Sequence, residues 1–91
     1  MAITLTFAPR SMTAQQYDDV IRRLEAAGAG APPGRLYHVA TGTGDRLRVV
    51  DVWDSQESFE AFGRTLMPIL QEVGIDPGQP EVAPVHKIIH G

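Results

Sequence analysis

The sequence predicts an α+β protein with its elements in the order β-α-β-β-α-β. Three observations carry this prediction. The chain opens on an alternation, with Ile3, Leu5 and Phe7 interleaved with Thr4 and Thr6. Two later stretches carry apolar residues at helical spacing, each behind a residue suited to capping a helix. Between those stretches, Thr43-Gly44 separates two segments rich in strand-forming residues, which is a hairpin signal.

The first strand is expected over about 2–8, stopped by Pro9. Thr13-Ala14-Gln15-Gln16 reads as a capping box with Thr13 as N-cap. The helix that follows places Tyr17, Val20, Ile21 and Leu24 on one stripe, which is read as core, and ends near Gly28. Gly28-Ala-Gly-Ala-Pro-Pro-Gly34 is a loop without the lysine of a phosphate-binding loop. A second strand runs over 35–42 and a third over 45–54. Asp54 or Ser55 caps the second helix, whose stripe is Phe59, Phe62, Leu66, Ile69, Leu70 and Val73. Pro68 removes a hydrogen bond inside that helix, so a kink or break is expected near Leu66-Met67, with Gly74 as the stop. The last strand is expected over Glu81 to His90, with Pro84 suiting a sheet edge. This order is the ferredoxin-like, split βαβ arrangement, and 91 residues suffice for a single such domain, 1–91.

Composition narrows the function classes. The net charge is −3 and no basic cluster exists, which argues against nucleic acid as a partner. No apolar run is long enough to span a bilayer and no signal-peptide pattern opens the chain, so no membrane partner and a cytoplasmic location are expected. There is no cysteine, so neither a disulfide framework nor a thiolate metal site is available. His86 and His90, four apart on a strand, would lie roughly 13 Å apart, too far to chelate one metal. No cofactor or metal is expected.

The central stretch is Arg48-Val-Val-Asp-Val-Trp-Asp-Ser55. Strand alternation puts Val49, Asp51 and Trp53 on one face and Val50 and Val52 on the other. Asp51 is the one costly residue in an otherwise apolar strand, because a buried carboxylate needs a partner. A tight turn at Thr43-Gly44 pairs Gly42 with Asp45, and in that register Ala40 faces Leu47, His38 faces Val49 and Leu36 faces Asp51. His38 then lies diagonal to Asp51 beside Trp53, while Tyr37 turns to the opposite face, the side expected to receive the helices. His38 is the acid/base candidate, since its unperturbed pKa lies near neutrality, and Asp51 is the residue that orients it. Trp53, Val49, Leu36 and His86 are the candidate substrate-contacting residues. The alternative role for Asp51 is a structural ion pair, with Arg35 or a residue of a partner chain. Two helices cover only one sheet face, so a second copy is expected on the other, at the face bearing Val49, Asp51 and Trp53.

The strand ending Asp-Val-Trp-Asp-Ser, followed by Phe59 and Phe62, resembles the antibiotic biosynthesis monooxygenase family of the dimeric α/β-barrel superfamily. The resemblance covers nearly the whole chain in architecture. It implies a homodimer packed sheet to sheet and a cavity for a small aromatic or polyketide-like ligand, with the tryptophan matching Trp53 in its wall. It also implies cofactor-free oxidation of that ligand, without metal or flavin. Those oxygenases carry an asparagine four residues before the tryptophan, where this chain has Val49. The same fold hosts cyclases, isomerases and proteins without a known reaction. The alternatives to oxygenation are therefore a polyketide-type cyclase or isomerase using the His38–Asp51 pair, and a non-catalytic ligand-binding or structural dimer.

Overall fold

The computed structural model describes all 91 residues. Its elements are β1 (Ile3–Phe7), α1 (Ala14–Ala26), β2 (Arg35–Thr41), β3 (Arg48–Trp53), α2 (Gln56–Val73) and β4 (Glu81–Pro84). The four strands form one antiparallel sheet in the order β2-β3-β1-β4. This is the α+β, ferredoxin-like arrangement expected from the sequence.

Local signals set the helix ends. Thr13 accepts a hydrogen bond from the Gln16 backbone N–H while the Gln16 side chain accepts one from the Thr13 N–H, completing the capping box. The Ser55 hydroxyl accepts from the Ser58 N–H, and Gly74 closes α2 at φ 86°, a left-handed conformation that glycine adopts without a Cβ penalty. The break expected at Pro68 does not occur; α2 runs from Gln56 to Val73 without interruption. Pro68 and Arg64, whose carbonyl loses its helical donor, are both exposed, so water can satisfy the freed oxygen.

Both helices pack on one sheet face. Ile3, Leu5 and Phe7 of β1 and Val49 and Trp53 of β3 meet Val20 and Leu24 of α1 and Phe62, Leu66 and Leu70 of α2 in one buried cluster. Trp53 and Leu5 are completely enclosed. The face bearing Val49, Asp51 and Trp53 is therefore the helix-covered face, which corrects its expected place at a dimer interface. Alternation alone cannot say which of two apolar faces receives the helices. The uncovered face carries Tyr37, Val39 and Val50, which are 51%, 47% and 38% exposed. Tyr37, expected beneath the helices, lies on this open side.

Pairing of β2 with β3 differs from the tight-turn register by two residues. His38 is directly opposite Asp51, Ala40 opposite Val49 and Thr41 opposite Arg48. The connection is longer than Thr43-Gly44 because residues 45–47 pair elsewhere. The Met12 N–H donates to the Asp45 carbonyl at 2.8 Å, and the Leu47 N–H donates to the Met12 carbonyl at 3.2 Å. A slip of two residues keeps every side chain on its face, whereas a slip of one would have inverted them. Strand β4 is also shorter than expected, ending at Pro84. It pairs only with the five-residue β1, and after Val85 donates to the Ala2 carbonyl little of β1 is left to pair with.

Candidate functional site

The sheet pairing and α1 bring three polar side chains into one line. The His38 Nδ1–Asp51 Oδ1 distance is 2.6 Å, and the His38 Nε2–Tyr17 hydroxyl distance is also 2.6 Å. The second carboxylate oxygen, Oδ2, accepts from Trp53 Nε1 at 3.3 Å. The Asp51 side chain is 5% exposed and that of His38 is 21% exposed. Both Asp51 oxygens thus have partners, and no buried side-chain polar atom in the chain lacks one. This is how a carboxylate is tolerated inside an apolar sheet.

The hydrogen-bond directions follow from the chemistry. Ionised Asp51 only accepts, so it selects the imidazole tautomer with its proton on Nδ1. Nε2 then carries a lone pair and accepts from the Tyr17 O–H. The result is a chain, Tyr17 to His38 to Asp51, in which a hydroxyl proton has a base to move to and the base has a carboxylate to stabilise its charge.

This chain forms the polar end of a cavity of about 60 Å³ between the sheet and the helices. Most of its lining is apolar, including Phe7, Val49, Phe62 and Leu66, and the polar groups are Tyr17, His38, Asp51 and Arg35. Of the expected contact residues, Val49 lines the cavity. Trp53 lies behind it, packed against Phe59 and Phe62 and holding Asp51 from the rear. Leu36 is turned out to solvent and His86 lies exposed beyond β4, so neither reaches the cavity. His38, His86 and His90 do not converge, and no group of three potential metal-binding His, Asp or Glu side chains forms anywhere in the chain. Arg35 does not pair with Asp51; its Nη2 donates to the Gly30 carbonyl at 3.0 Å.

Leu36 is displaced by a β-bulge. The register shifts between Arg35 and Tyr37, so Arg35 is opposite Trp53 while Tyr37 is opposite Val52. In a regular strand Arg35 and His38 would point to opposite faces. The extra residue turns Arg35 inward and Leu36 outward, a common use of bulges beside sites.

Tyr17 is the site residue that helical periodicity concealed, because a tyrosine on an apolar stripe reads as core. Its hydroxyl, an amphipathic tip that needs a partner when buried, was the only available hint. Burial raises the Tyr17 pKa above its ordinary 10.0; the Arg35 charge opposes this, and Asp51 and Asp18 add to it. A raised folded-state pKa stabilises the protein below the unfolded value and loses that contribution as pH rises through the folded value. Tyr17→Phe is therefore expected to cost about 1 kcal/mol at neutral pH, from the lost hydrogen bond. The difference from wild type should shrink above pH 10.0. Chemical denaturation of both proteins at neutral pH and above that value checks this, and a pH-independent difference would contradict it.

Comparison with known structures agrees with this architecture. No protein-family model and no curated protein sequence matches the chain. Among solved structures, a candidate antibiotic biosynthesis monooxygenase from Chloroflexus aurantiacus J-10-fl is 25% identical, with a TM-score of 0.66, covering 100% of this chain and 98% of that one. A second such candidate, from Caulobacter crescentus CB15, is 17% identical with a TM-score of 0.64, covering 97% of this chain and 91% of its own. SnoaB of Streptomyces nogalater, a cofactor-independent oxygenase, is 15% identical with a TM-score of 0.62, covering 97% and 94%. In fold this chain is antibiotic biosynthesis monooxygenase-like, as the Trp53 stretch implied. No helix is long and apolar enough to cross a membrane.

Proposed function

We propose that this protein is a small-molecule enzyme that removes a proton from an aromatic or polyketide-like substrate without a cofactor, and that the anion so formed reacts with dioxygen. The observation that carries this reading is the Tyr17–His38–Asp51 chain at the polar end of an otherwise apolar cavity. His38 is the base, Asp51 holds its tautomer and stabilises the imidazolium, and Tyr17 is the hydroxyl through which the proton passes. Oxygenation balances as a CH2 group plus O2 giving a carbonyl plus water, so no external reductant is required. The likeness to SnoaB supports this direction.

One observation favours the alternative of cyclisation or isomerisation by the same base. Val49 lines the cavity where the family's oxygenases carry an asparagine, and no amide side chain replaces it in the lining. Two measurements on a panel of carbon acids separate the readings. Hydrogen–deuterium exchange at the acidic carbon reports proton removal, and oxygen uptake reports capture of the anion by dioxygen. His38→Ala is expected to slow exchange by about 10²–10⁴-fold, and Asp51→Asn to slow it substantially with the fold retained. Exchange that is equally fast in wild type and His38→Ala would refute the reading. Exchange without oxygen uptake would select the isomerase or cyclase.

The enzyme is further proposed to be a homodimer, through the face bearing Tyr37, Val39 and Val50. An antiparallel sheet can leave one face in water when that face is polar; here three large apolar side chains stand exposed on it. The chain is also small enough that extra burial matters to its stability. Sedimentation at micromolar concentration should read twice the chain mass. Dimerisation without exchange would select a non-catalytic ligand-binding or structural dimer.

A further inference from the structure

We infer that the cavity takes a compact, roughly single-ring molecule with one acidic group, and that Arg35 holds it as the anion. The inference rests on the cavity being the substrate site proposed above, and it names the class of molecule that enters.

The first support is an unpaired charge. Arg35 is half-buried and lines the cavity, and no carboxylate lies within 4.0 Å of its guanidinium. Its one hydrogen bond goes to the neutral Gly30 carbonyl, and its Cζ sits 5.9 Å from the Phe62 ring centroid. A guanidinium has five N–H donors, so most of them have no partner within the protein. The one carboxylate in the cavity, Asp51, already has both oxygens engaged by His38 and Trp53. An anion for Arg35 must therefore come from outside the cavity's own residues.

The second support is the bulge. It sets Arg35 and His38 on the same sheet face although they are three residues apart. An unbulged strand would place apolar Leu36 there. The irregularity thus delivers a cation to the cavity and removes a leucine from it. Arg35 and His38 also line a shallow surface groove with Pro32 and Tyr37, so the charged end of the cavity is the end next to solvent.

The third support is size. Space for one water is about 10–15 Å³, so a cavity of about 60 Å³ takes roughly four to six non-hydrogen atoms, and a single ring already fills it with its acidic group left at the open end beside Arg35. A fused three-ring substrate does not fit this space. Proton removal next to Arg35 also has a chemical logic: the guanidinium stabilises the negative charge that His38 creates, and bidentate contacts to an oxyanion suit its planar fork.

Benzoate and its neutral analogue benzyl alcohol are the probes, titrated into isotope-labelled protein and followed by NMR. Benzoate is expected to bind wild type at least about tenfold more tightly. Arg35→Met, which keeps the stem and loses the charge, should abolish the difference, and Arg35→Lys should retain part of it. A fused three-ring carboxylate should bind more weakly than benzoate. Equal binding of the two probes to wild type, or an unchanged benzoate preference in Arg35→Met, overturns the inference. So does tight binding of the three-ring acid. The wild-type comparison needs no variant and stands if Arg35→Met fails to fold. Binding is read without turnover, so it is separable from the proton-transfer reading. Arg35-dependent benzoate binding in a protein with no exchange activity upholds the inference and sinks only the enzyme.

Discussion

Trp53→Ala is expected to destabilise the protein by about 3–5 kcal/mol, the range for truncating a large aromatic in a packed core. Trp53 is completely enclosed, with its ring against Phe59 and Phe62 at centroid distances of 5.7 and 5.3 Å. Its indole N–H is the partner of Asp51 Oδ2, so the substitution opens a cavity and unpairs a buried carboxylate oxygen at once. Small domains are typically stable by about 5–15 kcal/mol, so this loss is a large share of the total. The melting temperature should fall by about 12–40 °C, scaled from the usual dependence for a domain of this size. Trp53→Phe separates the two effects, since it keeps most of the packing and loses the donor. It should cost clearly less than Trp53→Ala. Thermal unfolding by circular dichroism checks both, and a loss under about 1 kcal/mol for Trp53→Ala would contradict the packing described.

The second large effect concerns assembly. In the single chain, Val39 and Val50 are 47% and 38% exposed, so aspartate at both positions should leave the isolated fold nearly intact. In a dimer packed through that face, each aspartate would be buried without a partner, at a cost of several kcal/mol per ion. An overall penalty of about 4 kcal/mol already raises the dissociation constant about a thousandfold. Val39→Asp/Val50→Asp is therefore expected to sediment as a monomer where wild type is a dimer. Met67→Asp is the control, because Met67 is 50% exposed on α2, away from the open sheet face. It should leave the dimer unchanged. A wild-type monomer at micromolar concentration, or a double variant that stays dimeric, would rule this interface out.

Signals confined to a few neighbouring residues are legible in the amino-acid sequence. The capping box at Thr13 and Gln16, the Ser55 cap, the Gly74 stop and the alternation of β1 and β3 involve only residues within a turn or a strand. That short range is why element order, and with it the α+β arrangement, can be read from the chain alone. The grouping of His38 with Asp51 and Trp53 is legible too, although the expected register was off by two residues, because side-chain direction has a period of two and the error preserved it.

Everything that turned on distant residues was decided by tertiary structure. Met12 pairs with residues 45–47 and so moves the β2–β3 register, and nothing near Thr43-Gly44 announces it. The bulge that exchanges Leu36 for Arg35 is a property of pairing with β3, and neither residue signals it alone. Tyr17 joins this cluster only because α1 packs on the sheet face that bears His38, which makes a residue of an apolar stripe a hydrogen-bond partner of His38. Both faces of β3 are apolar, so alternation could sort Val49, Asp51 and Trp53 from Val50 and Val52, but only the packing of α1 and α2 determined which set became the interior.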